Sequence, residues 1–137
     1  MFNSEILVAS PDALAINTLL TKASYNVAAS RTGQAALAYL RSNTPELMIL
    51  DAHIPDIDGT SISYRVKKLA RLRDIPVIVL VNNLDTKMRA AAELSNADQI
   101  IFKPYTGRAL REAVGDWLEP RLVNSIDHKA SVSNYPW

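Results

Sequence analysis

The chain has 137 residues, 48% of them hydrophobic and 21% charged, with 15 basic against 14 acidic side chains and no cysteine. One domain of this size buries its own core, removing roughly two thirds of its unfolded surface from water, and the missing cysteines exclude disulfide frameworks, thiolate metal sites and cysteine nucleophiles together. A formal charge of +1 argues against strong nonspecific attraction to nucleic acid; apolar runs such as Val77 to Val81 fall far short of the roughly 18 residues of a membrane span, and with no signal-peptide pattern a cytoplasmic location is expected.

Glu5 to Ala9 is predicted as a first strand, and it stops at Ser10-Pro11-Asp12, a helix-start signal. Ser10 suits the N-cap and Pro11 the first helical position, where a missing N–H costs nothing. A helix follows to about Ser24 with Leu14, Thr18 and Leu19 on its packing face. Tyr25 to Ser30 reads as a second strand and Gly33 to Asn43 as a second helix, carrying Ala36, Leu37, Tyr39 and Leu40 and ending before Pro45. Glu46 to Asp51 is the third strand. A loop with Pro55, Asp56, Asp58 and Gly59 leads from it into a helix carrying Ile62, Val66 and Leu69. Ile75 to Val81 is the most apolar strand, Lys87 to Ser95 a fourth helix, Gln99 to Phe102 a fifth strand, and Thr106 to Glu119 a fifth helix with Leu110, Val114 and Leu118 on one side. Residues 1–119 thus form one domain, and residues 120–137, which open on a helix-ending proline, read as a tail or the start of a linker.

Strands that are continuous rather than alternating apolar runs, each followed by a helix, imply an α/β fold with a doubly wound five-stranded parallel sheet covered on both faces. In such sheets chemistry collects outside the carboxyl ends of the strands, near the point where strand order reverses. The residues to inspect are Ser10 to Asp12, Asp51 to His53, Val81 to Asn83, and Lys103-Pro104. Asp51 and Lys103 end two different strands, a placement that brings a carboxylate beside an ammonium. Such a carboxylate can take a phosphoryl group while the lysine neutralises charge on the transferred oxygens. The plainer alternative is a structural ion pair.

Ile49-Leu50-Asp51, the loop Ile54-Pro55-Asp56-Ile57-Asp58-Gly59, the strand Ile75 to Leu80, and Ala97-Asp98 through Phe102-Lys103-Pro104-Tyr105 resemble the receiver family of two-component response regulators, over about residues 4–119. The resemblance implies a (βα)5 flavodoxin-like receiver in which Asp51 is the phosphoacceptor, Lys103 the phosphate-sensing lysine and Lys103-Pro104 a cis-peptide candidate. Where that family carries two adjacent acids that hold magnesium, this chain has Ser10 and Pro11. Magnesium is usually held by one or two carboxylates with phosphate and water, so weak or absent binding at Asp51 is expected, with Asp12 the nearest remaining acid and no cofactor required. The family's switch hydroxyl and switch aromatic fall on Val81 and Ile100, so neither moving part of the usual two-state shift is in its usual form.

An atypical receiver follows as the expectation: a signalling and protein-interaction module rather than an enzyme, with phosphorylation of Asp51 weak or dispensable. The alternatives are a receiver phosphorylated at Asp51 by a dedicated histidine kinase, and a small ligand-binding doubly wound domain, for which the four glycines form no phosphate loop. The expected partner is a protein, either a histidine kinase or an output protein, or a second copy in a homodimer; no membrane or DNA contact is expected. By resemblance, the surface of the fourth helix, fifth strand and fifth helix serves it, with Arg89, Glu93, Arg108, Arg111 and Glu112 as exposed charges whose plainer role is solubility. Asp51-Ala52-His53 resembles the opening of the cobalamin-binding Asp-x-His-x-x-Gly motif, but the sixth position is Asp56. Cobalamin is therefore not expected, and His53 reads as an exposed loop residue bordering Asp51. The cluster Arg65, Lys67, Lys68, Arg71 and Arg73 reads as the solvated face of an amphipathic helix, and Tyr25, Tyr39 and Tyr105 as packing or surface contacts.

Overall fold

Every predicted strand and helix forms, with small shifts at the ends, in a computed structural model that describes residues 5–119. The segment read as a tail, residues 120–137, lies outside the described residues. The strands are β1 (Glu5–Ala9), β2 (Asn26–Ser30), β3 (Leu47–Asp51), β4 (Val77–Asn82) and β5 (Gln99–Lys103); the helices are α1 (Ala13–Lys22), α2 (Gly33–Ser42), α3 (Gly59–Val66), α4 (Thr86–Glu93) and α5 (Gly107–Leu118). All neighbouring strands are parallel, in the order β2-β1-β3-β4-β5. Strand order reverses between β1 and β3, so their carboxyl ends frame the crevice where such sheets place their chemistry.

The strands are apolar at successive positions because both faces are covered. One face packs Leu7, Met48, Leu50, Val77 and Val79 against Ala36 and Leu40 of α2, Ile62 and Val66 of α3, and Ala92 of α4. On the other, Ile6, Val8, Ile49, Ile78 and Leu80 meet Ile16 and Leu20 of α1 and Leu110 and Val114 of α5. Each such fully buried aliphatic side chain contributes about 1.5–3 kcal/mol, and this two-sided burial fixes the register that brings the strand ends together.

Three local expectations are corrected. Helix α1 begins at Ala13 with Asp12 at the N-cap position and no side-chain cap bond; Ser10 lies outside the helix because its hydroxyl is drawn to other partners described below. The buried face of α1 is Ala13, Ile16 and Leu20, whereas Leu14 is 58% exposed. Shifting the helix start rotates the packing face, which depends on where the first turn begins. Helix α3 ends at Val66, earlier than predicted, leaving Leu69 51% exposed in the turns that follow.

The basic cluster is divided rather than forming one solvated helix face. Lys67 follows α3 with its side chain only 11% exposed; its ammonium donates to the carbonyls of Arg73 and Ile75 and pairs with Asp98 at 2.6 Å. Arg71 donates to Leu40 O, Asn43 O and Thr44 Oγ1, closing the carboxyl end of α2. Lys67 thus serves carbonyls in the segment that follows the short α3, while Arg71 stays exposed and serves those left open at the end of α2.

The loop between β3 and α3 is held from both sides. Asp56 has φ 73°, and its carboxylate accepts the backbone N–H groups of Gly33 at 2.8 Å and Gln34 at 3.2 Å, the first turn of α2. Desolvation opposes ionisation there, yet the bonds from the N–H groups of Gly33, Ile57 and Gln34 outweigh it and hold the Asp56 carboxyl below its ordinary range. Asp58 caps α3 by accepting Ser61 N–H at 2.9 Å; its carboxyl is likewise lowered, desolvation being outweighed by hydrogen bonds from Thr60 and Ser61. At the start of α3 a Cβ on Gly59 would sit 2.4 Å from the carbonyl oxygen of Asp51, so only glycine lets the helix approach the strand end this closely.

Two predictions follow from this packing. Gly59→Ala should destabilise by about 1–3 kcal/mol through forced backbone displacement, whereas Gly115→Ala, whose nearest neighbour would be Tyr25 Oη at 3.7 Å, should stabilise α5 by about 0.5–1 kcal/mol; urea unfolding of both variants measures the contrast. Because Asp56 and Asp58 titrate lower folded than unfolded, their contribution is present above the ordinary carboxylate value and is lost as pH falls through the depressed one. Stability should therefore fall below about pH 4, and Asp56→Asn should make that acid limb shallower.

Candidate functional site

Asp51 is the last residue of β3 and is 1% exposed. A buried carboxylate needs both a counter-charge and hydrogen-bond donors, and three chain segments supply them. From the end of β5, Lys103 Nζ donates to Asp51 Oδ2 at 2.7 Å, and from the turn after β1, Ser10 Oγ donates to the same oxygen at 3.1 Å. The backbone N–H of His53 reaches Asp51 Oδ1 at 2.8 Å. The peptide bond between Lys103 and Pro104 is cis.

Ser10 is fully buried, and its hydroxyl is used twice. It donates to Asp51 while accepting the Asp12 N–H at 2.9 Å, which is why it does not cap α1. Pro11 and Asp12 are exposed. The Tyr105 phenol is pushed up by burial first and then by the charges of Asp51 and Asp12, placing this ring within electrostatic reach of both acids. Val81 is buried in β4 and registers with Phe102, and Ile100 is partly buried against the same core layer. Both contribute apolar surface only. Among the described residues no group of three or more His, Asp or Glu side chains gathers in a way that holds a metal ion.

His53 is not the exposed loop residue its position suggested. Its imidazole crosses to the next loop, where Nε2 accepts the N–H of Asn82 at 3.0 Å and Nδ1 faces Asp85 Oδ2 at 3.9 Å. Nothing in the sequence marks this contact, since it joins loops that follow two different strands. The Asp-x-His spacing nevertheless positions a backbone N–H two residues after the carboxylate, the arrangement of an Asx turn. Arg108 and Arg111 are exposed on α5, with Arg108 paired to Glu112 at 2.9 Å.

A buried aspartate at the end of the central strand, paired with a lysine at the end of β5, agrees with what the comparisons show. The profile of the family described as response regulator receiver domain matches residues 12–115. The chain belongs to this family. The receiver is 32% identical over 109 residues to the transcriptional regulatory protein AfsQ1 of Streptomyces coelicolor, covering 78% of this chain and 47% of that protein. It is 29% identical over 103 residues to histidine kinase P4 of Formosa agariphila, covering 75% of this chain and 8% of the kinase. Among solved structures, the signal receiver domain of a signal transduction histidine kinase from Syntrophus aciditrophicus aligns with a TM-score of 0.79 at 30% identity, covering 84% of this receiver and 89% of that chain. The receiver thus spans under half the length of these two curated relatives, and it is a domain of two-component signalling. Among the described residues no helix is long and apolar enough to cross a membrane.

Proposed function

We propose that this receiver is a signalling and protein-interaction module in which phosphorylation of Asp51 is weak or dispensable. The observation that carries the proposal is the engagement of both Asp51 oxygens by internal donors, one of them the hydroxyl of Ser10. Magnesium seeks oxygen ligands in an octahedron and relies on carboxylates for charge. Here Ser10 donates toward Asp51 and has a lone pair committed to Asp12 N–H, Pro11 has no side-chain oxygen, and Asp12 is exposed at the start of α1. This donor set fits the ion poorly. Lys103 is then the principal cation facing an incoming phosphoryl group, whose transfer depends chiefly on positioning and charge stabilisation. Val81 adds no hydrogen bond to the product.

The module acts through a protein partner, a histidine kinase or an output protein, and needs no cofactor. Its proposed contact surface is the face of α4, β5 and α5. Phe102 and Trp117 are exposed there, and the Arg89 guanidinium lies 5.0 Å from the Phe102 ring centroid, an aromatic and arginine combination suited to an interface. Arg108 and Arg111 supply charge at its rim, and a second copy of the chain is the alternative occupant. The competing reading, phosphorylation by a dedicated kinase, draws on the intact Asp51–Lys103 pair.

Intact mass spectrometry after incubation with acetyl phosphate, with and without Mg²⁺, separates the two. The expected outcome is little phosphate adduct and little acceleration by the metal. Rapid, Mg²⁺-dependent addition of one phosphate, abolished by Asp51→Asn, would return the protein to the phosphorylated class.

A further inference from the structure

We propose that His53 is the positioning residue through which the state of the Asp51 carboxylate reaches helix α4. A continuous series of hydrogen bonds runs between them. The His53 N–H donates to Asp51 Oδ1 at 2.8 Å, and the same residue's Nε2 accepts from Asn82 N–H at 3.0 Å. The Asn82 carbonyl accepts from Asp85 N–H at 3.0 Å, while its side-chain oxygen accepts from Leu84 N–H at 2.8 Å. Asp85 is the N-cap of α4, its Oδ1 accepting from Met88 N–H at 3.0 Å and its Oδ2 facing His53 Nδ1 at 3.9 Å. The imidazole therefore ties the loop after β3 to the end of β4 through one hydrogen bond and lies beside the carboxylate that caps α4.

The orientation of the ring follows from these partners. A nitrogen that accepts from an amide carries no proton, so the ring proton sits on Nδ1, toward the Asp85 carboxylate. His53 is placed in this arrangement by its own backbone contact with Asp51. When Asp51 loses its charge, its hold on the His53 N–H weakens, the ring shifts, and the Asn82 N–H and the α4 cap beside it lose their fixed reference. The side chains that usually face such a site are here Val81 and Ile100, which have no polar atom to pass this on. Lys103, whose Nζ pairs with Asp51, also touches this loop through its carbonyl, which accepts Asn83 N–H at 3.1 Å, but it bonds Asn83 rather than the Asp85 cap.

The proposal holds whether or not Asp51 takes a phosphoryl group, so the mass experiment above and the test below fail independently. Amide spectra of four proteins close a cycle: unmodified, Asp51→Asn, His53→Ala, and the double variant. Asp51→Asn should move the amides of Asp85 to Glu93 in the unmodified background, and this movement should be lost in the His53→Ala background. It should return with His53→Gln, whose side-chain carbonyl replaces Nε2 as acceptor. A purely structural histidine would change the α4 amides by itself yet leave the Asp51-dependent movement in place, and that result would overturn the proposal. Should His53→Ala fail to fold, long-range ¹H–¹⁵N spectra of the imidazole in the unmodified protein remain decisive. They are expected to show a proton on Nδ1 with Nε2 bare, and a proton on Nε2 would equally overturn it.

Discussion

The buried Asp51 carboxylate needs compensating partners, and Lys103 Nζ, Ser10 Oγ and His53 N–H supply them from three separate parts of the chain. Much of the structure can be traced to that need. An uncompensated buried charge costs several kcal/mol, so the ends of β1, β3 and β5 must converge within hydrogen-bond distance. The two apolar layers set the strand register that makes this possible, and Gly59 lets α3 start directly against the Asp51 carbonyl.

Ser10 changes the electrostatics of this centre. A second and third carboxylate beside Asp51 would repel it and require a cation to hold them together. A hydroxyl instead donates to Asp51 and needs no ion. On the function proposed above, the receiver is complete as folded, with its charge balance closed by Lys103 and its polar groups satisfied by the chain itself. Its signalling then rests on the surface of α4, β5 and α5 and on whatever moves that surface, for which His53 supplies a connection to the interior.

The order of strands and helices was legible because buried parallel strands are uniformly apolar and their connecting segments carry turn and cap residues at each end. Asp51 and Lys103 were legible for the same reason: each is a charged residue terminating an apolar run. Less local features were not. Ser10 looked like a helix cap, since the sequence does not reveal that a carboxylate 41 residues away competes for its hydroxyl. The packing face of α1 was missed with it, because a displaced helix start turns Leu14 outward and Ile16 inward. Lys67 and Arg71 read as solvated cations although they satisfy carbonyls left open where α3 stops early and α2 ends. The imidazole of His53 crosses between loops that only the folded sheet brings together.

Whether Asp51 is satisfied by protein donors rather than prepared for a metal is decided by titrating Mg²⁺ into the protein while following the amide resonances of Ser10 and His53. Small shifts that rise without saturating through the millimolar range are expected from the protein donors. Saturation at submillimolar Mg²⁺, with both amides moving together, would contradict that expectation.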